Sequence, residues 1–229
     1  KYWGSGPYIR EMNIWLQYVK KVTIVAPLVD TQPNQMDCAY TKSNIQFIRV
    51  PEFSLINLKE IVFSLLVVPY ILIVIINQFR KAQHLHLRCP GNMGLLGTIA
   101  QIFFPSKPKS VKYAGNWDSY HGQPYTYKLQ KKILQHTLLS RNIKVLVYGH
   151  QGVQNRNIYP FFTASFSYSD KTEYTKPAVS KTVNLAFLGS LTNNKRPLLC
   201  LKITRELHRR GIPVYLHMIG QGPNSESLM

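Results

Sequence analysis

Phe187-Leu-Gly-Ser-Leu-Thr-Asn-Asn-Lys-Arg-Pro197 carries an apolar strand through a polar loop and into a helix. The strand ends at Gly189, and Pro197 suits the first turn of a helix, where its missing N–H would have no partner anyway. Lys195 and Arg196 stand directly before that turn, where unpaired backbone N–H groups and the helix dipole favour an anion. The stretch predicts a strand–loop–helix unit that cradles a diphosphate, with an ordinary basic helix start as the alternative.

The same alternation of short strands and helices runs along the rest of the chain. The predicted strands are apolar or alternating segments at 22–26, 45–48, 84–88, 110–114, 144–148, 183–188 and 213–219. The predicted helices cover 8–20, 56–80, 94–104, 124–140 and 197–210. Strands that alternate with helices are typical of βαβ units, so the sequence predicts an α/β protein with parallel sheets in Rossmann-like domains.

A polar, irregular stretch divides the chain. We predict a Rossmann-like domain at 1–165, a linker at 166–182 and the beginning of a second Rossmann-like domain at 183–229. The first helix follows Gly4-Ser5-Gly6 with no recognisable strand before it, so the first strand of that domain is expected to lie before Lys1. We expect the chain to be a fragment that is cut at both ends and inactive by itself.

The composition is strongly basic but not that of a disordered tail. The 28 Lys and Arg against 10 Asp and Glu give a net charge of +18, yet 45% of residues are hydrophobic. Between Ile61 and Ser169 there are twelve basic residues and one carboxylate, Asp118, a net charge of +11. Such a field concentrates anions, which include nucleotide phosphates, nucleic acid and anionic lipid head groups. Three cysteines without a CxxC pair argue against a disulfide scaffold or a zinc site.

The segment Ile61–Ile76 is almost entirely apolar. Its sixteen residues would span about 24 Å as a helix, less than the roughly 30 Å of a bilayer core, and Pro69 interrupts them. The segment therefore predicts a buried core helix, with a helix that dips into one membrane leaflet as the alternative. Arg80 and Lys81 at its end suit both structures.

Polar residues follow three of the predicted strands, at the positions where open α/β sheets bind ligands. These strand ends hold Arg88-Cys-Pro-Gly-Asn92, Gly115-Asn-Trp-Asp118 and Gly149-His150. Asp118 is a hydrogen-bond acceptor in a positive environment, and a loop carboxylate paired with a lysine is the alternative interpretation. His84 and His86 lack Cys or carboxylate neighbours at ligand spacing, so we predict no metal site.

The stretch from Val183 to Pro223 resembles the opening of the donor-binding domain of retaining glycosyltransferases of family 4. Those enzymes have the GT-B architecture, in which an N-terminal Rossmann-like domain takes the acceptor and a C-terminal one takes the nucleotide sugar. The family commonly has Gly-Arg-Leu-x-x-x-Lys-Gly here, and this chain matches it at Gly189, Leu191 and Lys195. It departs from it with Ser190 at the Arg position and Arg196 at the second Gly position.

The resemblance implies an assignment of roles. Gly189, Ser190, Lys195 and Arg196 are expected at the donor diphosphate. The glycine-rich stretch Gly4-Ser5-Gly6 and the side chain of Arg88 are expected at the acceptor. Many family members have a histidine near the second strand end, facing the reacting sugar, and here Asn116 and Asp118 take that place as catalytic candidates.

The activity implied is sugar transfer, with retention, from a nucleotide sugar to a glycan or lipid-linked acceptor in surface polysaccharide biosynthesis. No cofactor or metal is expected, since the nucleotide sugar is a substrate. An anionic membrane surface is an expected partner and nucleic acid is not, so the protein is expected to be cytoplasmic and peripheral on the inner face of the membrane. The alternatives are a basic nucleic-acid-binding protein, another two-domain nucleotide-sugar enzyme such as an epimerase, and a non-catalytic remnant.

Overall fold

The computed structural model describes residues 1–34, 36–54, 58–118, 122–149, 155–162, 168–174, 181–223 and 225. The chain forms two compact units, Lys1–Asp170 and Lys171–Met229. Each unit is built from strands and helices that follow one another along the chain.

The first unit contains most of the regular structure. Its strands are β1 (Trp3–Ser5), β2 (Val22–Ala26), β3 (Asp37–Ala39), β4 (Ile45–Arg49), β5 (Leu85–Cys89), β6 (Lys109–Asn116), β7 (Ile143–Tyr148) and β8 (Ile158–Pro160). Its helices are α1 (Gly6–Trp15), α2 (Leu58–Lys81), α3 (Asn92–Ala100) and α4 (Tyr125–Gln135). The second unit contains β9 (Val183–Leu188), α5 (Pro197–Arg209) and β10 (Val214–Ile219).

Parallel pairing dominates both units. Strands β5, β6, β7 and β8 form a four-stranded sheet in that order, and all three of its pairings are parallel. Strand β2 pairs with β4 and β9 with β10, both in parallel, whereas β1 and β3 form a short antiparallel pair. The prediction of an α/β protein with parallel sheets is confirmed.

Two apolar clusters hold the first unit together. One face of the four-stranded sheet buries alternate residues of β5, β6 and β7 together with Trp117 and Leu134. A second cluster forms where α2 packs on α3, around Ile71, Ile75 and Leu96. Glycines let α3 approach the sheet closely, since a Cβ on Gly97 would lie 2.8 Å from the Leu87 side chain.

The opposite face of the sheet is held by a buried ion pair. Lys112 of β6 places Nζ 3.1 Å from Oε1 of Glu11 in α1, and the two side chains are 3% and 10% exposed. The ammonium also lies 3.9 Å from the ring centre of Phe161 and donates to the Phe162 carbonyl at 3.2 Å. The pair fixes α1 on the sheet, because moving the helix would leave both charges without a counter-charge in a dry environment.

Three expectations from the sequence are corrected. Strand β1 precedes the first helix, so Gly4 and Ser5 lie in a strand that pairs with β3, and Gly6 begins α1. The fourth helix ends at Gln135, not near 140, because His136 adopts an extended backbone, and Ser140 instead hydrogen-bonds with Ile133 and Asn157. Helix α2 is not buried all round: Phe63, Leu66 and other side chains on one face are exposed.

We expect Glu11→Gln to lower the free energy of unfolding of the first unit by about 3 kcal/mol, because Lys112 would stay buried without a counter-charge. Urea unfolding followed by tryptophan fluorescence measures this directly, since Trp3, Trp15 and Trp117 all belong to the first unit. Asp30→Asn is the matched control, because it removes a pair with Arg49 of equal length, 3.1 Å, that is exposed. Equal losses in the two variants would contradict a special role for the buried pair.

A second prediction concerns acid stability. The ring centres of His86 and Trp15 are 4.8 Å apart. Burial lowers the pKa of His86 to about 4, and the charges of His84, Arg88 and Lys112 add to that shift. The unfolded chain takes up a proton near pH 6.5, so the free energy of unfolding should fall as the pH drops from 6.5 to 4, by up to about 3 kcal/mol. His86→Gln should flatten urea-midpoint profiles over that interval, whereas an unchanged slope would show that other groups produce the acid sensitivity.

Candidate functional site

The carboxyl ends of β5, β6 and β7 meet at one edge of the four-stranded sheet. The turn after β5 touches the end of β6, because a Cβ on Gly115 would lie 3.6 Å from Cγ of Pro90. The turn after β7 touches the segment beyond β6, since a Cβ on Gly149 would lie 2.5 Å from Oδ2 of Asp118 and 2.9 Å from Oδ1 of Asn116. The predicted strand ends after β5 and β7 therefore lie on either side of the one after β6.

Helix α4 holds these strand ends in place through two consecutive buried residues. Gln130 donates from Nε2 to the Gly91 carbonyl after β5 at 3.3 Å. Lys131 donates from Nζ to the Trp117 carbonyl at 2.6 Å and to the Asn116 carbonyl at 3.5 Å. Burial lowers the pKa of Lys131, and the charge of Asp118 partly offsets that shift. The helix thus fixes the loop that carries both catalytic candidates.

Asn116 and Asp118, the two catalytic candidates, lie together. The backbone N–H of Asp118 donates to Oδ1 of Asn116 at 3.0 Å, and Gln123 donates to the Asn116 carbonyl at 3.4 Å. Both candidates are exposed, whereas Trp117 between them is buried and contacts Tyr113 edge-on at 4.9 Å. Asn116 therefore shapes the turn that presents Asp118, and Trp117 anchors it in the core.

Strand β6 contains a bulge relative to β7 at this edge of the sheet. Tyr113 pairs with Val147, but the next pairing joins Asn116 to Tyr148, so β6 carries two more residues, Ala114 and Gly115, than β7 over the same interval. A bulge of this kind bends the strand and redirects its end. Here it lies immediately before the candidate residues.

Arg88 lies at the end of β5 against the first turn of α1. Its guanidinium carbon is 4.0 Å from the ring centre of Tyr8, in cation–π geometry. Tyr8 shares a side-chain hydrogen bond with Tyr40, and burial raises the pKa of both phenols. Arg88 and Gly6, two of the predicted acceptor residues, therefore belong to one neighbourhood.

The close approach at Gly6 is to the protein itself. Its N–H donates to the Met36 carbonyl at 2.9 Å, and a Cβ there would lie only 2.6 Å from that oxygen. Ser5 is extended and exposed before the helix, and its side chain makes no capping hydrogen bond. The sequence attributed this glycine to ligand approach, whereas the structure gives it a packing reason.

The predicted diphosphate residues of the second unit lie on the loop between β9 and α5: Gly189 and Ser190 follow the strand, and Lys195 and Arg196 directly precede the helix. Gly189 donates its N–H to Ile219 at 3.0 Å, and the backbone of Gly220 packs directly on it, which extends the β9–β10 pairing into the loops. Ser190, Lys195 and Arg196 are exposed. Arg196 has φ +54° and ψ +47°, the left-handed conformation that glycine adopts most readily.

Sequence reasoning missed Gln130, Lys131 and Tyr8. Their partners are backbone carbonyls, a ring face and a phenol, and none of these leaves a spacing signal in the sequence. The available hint was that Gln130 and Lys131 fall beside Ile133 and Leu134 on the buried side of α4. A polar pair at apolar positions of a helix indicates specific partners.

No group of three or more His, Cys, Asp or Glu side chains that could hold a metal ion is found in the described part of the chain. One described helix is long and apolar enough to cross a membrane, over Phe63–Lys81, and 17% of that stretch is buried. The sequence matches no protein-family model and no curated protein.

The contact between Gly149 and Asp118 generates a test of the site's geometry. Gly149→Ala and Gly122→Ala both place a Cβ on a residue with positive φ, +84° and +72°, at a cost of about 1–2 kcal/mol each. Only Gly149→Ala also collides with the Asp118 carboxylate, since nothing lies within 4 Å of a Cβ on Gly122. We expect a larger loss of unfolding free energy and a shifted Trp117 emission in Gly149→Ala alone. Identical behaviour of the two variants would contradict the packing of Asp118 on Gly149.

Proposed function

We propose that this chain is part of a glycosyltransferase of GT-B architecture that moves a sugar from a nucleotide sugar to a glycan or lipid-linked acceptor, with retention. The observation that carries the proposal is the meeting of three strand ends at one sheet edge, where Asn116 presents an exposed Asp118 against Gly149. Ligands of open α/β sheets bind at such edges. We propose surface polysaccharide assembly on the cytoplasmic face as the setting.

In this proposal Asp118 accepts a hydrogen bond from the acceptor hydroxyl and orients it toward the sugar. A carboxylate suits this role because it only accepts hydrogen bonds when it is ionised. The loop is pre-organised, since Lys131 and Trp117 hold its backbone from the protein side. Arg88, stacked on Tyr8, is the cation available for an acceptor phosphate from the neighbouring strand end.

The proposed donor site lies in the second unit. Lys195, Arg196 and the start of α5 would stabilise the negative charge that develops on the diphosphate as the bond to the sugar breaks. Arg196 occupies the position where the family has glycine, and its left-handed backbone is the conformation that explains a glycine there. This backbone conformation supports the resemblance in addition to the matching residues Gly189, Leu191 and Lys195.

The placement of the lysines argues against nucleic-acid binding as the main activity. A non-specific nucleic-acid surface uses exposed cations to neutralise phosphates. Here Lys109, Lys112 and Lys131 are buried, and Lys107 donates to the carbonyls of Phe79 and Arg80 at the end of α2. Part of the +11 charge of the central stretch is thus buried and unavailable to a nucleic acid.

The proposal is tested first by ligand binding. We expect UDP, GDP or another nucleoside diphosphate to bind, measured by equilibrium dialysis, and Lys195→Ala to weaken that binding at least tenfold through loss of a charge-assisted hydrogen bond. Arg205→Ala is the matched control, an exposed cation further along α5 whose loss should change binding little. Equal weakening in both variants would reduce the effect to general electrostatic attraction.

Turnover separates the alternatives. The longest available form of the protein is incubated with a nucleotide-sugar panel, with and without lipid extract, and both diphosphate release and epimerised nucleotide sugar are measured. Release that requires the extract and falls at least tenfold in Asp118→Asn is the expected result. Epimerised product without release would favour the epimerase, and salt-sensitive RNA or DNA binding with no nucleotide binding would favour the nucleic-acid protein.

A further inference from the structure

One face of α2 presents a continuous row of exposed apolar side chains. Phe63, Leu66, Tyr70 and Ile73 recur at spacings of three and four residues, and they are 54%, 79%, 53% and 59% exposed. We call these four residues the apolar stripe. On the other side of the helix Ser64 is buried, and Ile71 and Ile75 are part of the second core cluster. Helix α2 is therefore packed on one face and exposed to solvent on the other.

The exposed face changes from apolar to basic along the helix. Two further steps of the same spacing reach Asn77 and Arg80, which Lys81 follows, and all three residues are exposed. Lys107 already compensates the negative end of the helix by donating to the carbonyls of Phe79, Arg80 and Ala82. Arg80 and Lys81 are therefore not needed to neutralise the helix end.

The sequence that follows the start of the stripe contains no carboxylate for more than fifty residues, although Glu60 precedes the stripe on the same helix. From Phe63 to Trp117 there is no Asp or Glu, and the exposed cations of the helix itself are Arg80 and Lys81, at its end. Phe103, 69% exposed, follows α3, and the neighbouring Phe104 ring contacts Phe79 near the basic end of α2 at 5.8 Å. An apolar row that ends in cations and exposed aromatic residues is complementary to a bilayer surface with negative head groups.

We propose that the apolar stripe docks this protein on the surface of an anionic lipid bilayer. The helix would lie in the plane of the membrane, with its row of about 15 Å from Phe63 to Ile73 below the head groups. Arg80 and Lys81 would sit at the lipid phosphates. The opposite face remains packed on α3, so the helix docks as part of the folded unit and does not span the bilayer.

A second copy of the chain fits the stripe less well than a lipid surface does. Two stripes in parallel would bring Arg80 against Arg80 in the contact, and two in antiparallel orientation would bring Arg80 opposite Phe63. The parallel arrangement brings two cations together without a counter-charge, which is costly. The antiparallel arrangement places Arg80 within one helical turn of Glu60 and is distinguished from lipid docking by the experiment below. Pro69, exposed beside the stripe, also hinders a close helix–helix contact because it interrupts the regular helix backbone.

The first experiment is vesicle co-sedimentation of the purified protein with phosphatidylglycerol-containing and pure phosphatidylcholine vesicles. We expect binding to the anionic vesicles that weakens as salt is raised. Leu66→Glu should reduce the partition coefficient at least tenfold, whereas Leu138→Glu, with Leu138 74% exposed on the same unit, should not change it. Arg80→Gln with Lys81→Gln should weaken binding about fivefold per charge, compared with Lys128→Gln and Lys132→Gln on α4 as the charge-matched control.

A second measurement locates the contact in wild-type-like protein. Tyr70→Trp should show fluorescence quenched by brominated lipids beyond the wild-type signal, and Tyr125→Trp, from an exposed tyrosine of α4, should not. No donor nucleotide is used in these experiments. Membrane docking and the proposed sugar transfer are therefore tested separately, and either one can fail while the other holds. Absence of vesicle binding, equal binding to neutral vesicles, or binding unaffected by Leu66→Glu would each overturn the proposal. A doubled mass in light scattering that Leu66→Glu abolishes, without vesicle binding, would assign the stripe to a second copy.

Discussion

The buried pair of Lys112 and Glu11 is the contact on which the arrangement of the first unit depends. Lys112 lies in the second strand of the four-stranded sheet, and Glu11 lies at the middle of α1, so a single contact sets where the helix crosses the sheet. Tyr8 is one turn away on the same helix and receives Arg88 from the neighbouring strand. Removing one charge would leave the other buried without a counter-charge, which is costly, so the pair strongly favours this one position of the helix on the sheet.

The candidate site is built on the other side of the same sheet by a different device. Gln130 and Lys131 reach from α4 to the backbone after β5 and β6, so the helix that covers the core also spaces the strand ends. Asp118 therefore stands on a loop whose backbone is held by packing and hydrogen bonds. Such support from rigid elements is what positions a reacting group within a fraction of an ångström.

The sequence predicted the longer strands, and β2 and β9 agree with their predicted bounds, because short apolar runs between polar residues leave few other structures. The three-residue strands β1, β3 and β8 were not predicted. It predicted the residues at the strand ends but not what holds them, since Lys131 binds carbonyls that every residue type provides. Helix α2 shows the limit of periodicity: where all faces are apolar, the pattern cannot tell which one packs. Gly6 was assigned to ligand approach because Gly4-Ser5-Gly6 resembles a glycine-rich loop, and its packing against the Met36 carbonyl could not be predicted because that carbonyl comes from a distant part of the chain.

The two extra residues of β6 determine which face of the sheet the following side chains occupy. Side chains alternate between the faces of a strand, and an even number of added residues returns Trp117 to the face of Tyr113, where their rings meet. One residue more or fewer between Tyr113 and Asn116 would exchange the faces, turning the indole outward and the amide into the core. A one-residue insertion or deletion at Ala114–Gly115 is therefore expected to disturb the packing of Trp117 on Tyr113 more than a two-residue change, which preserves the alternation of faces.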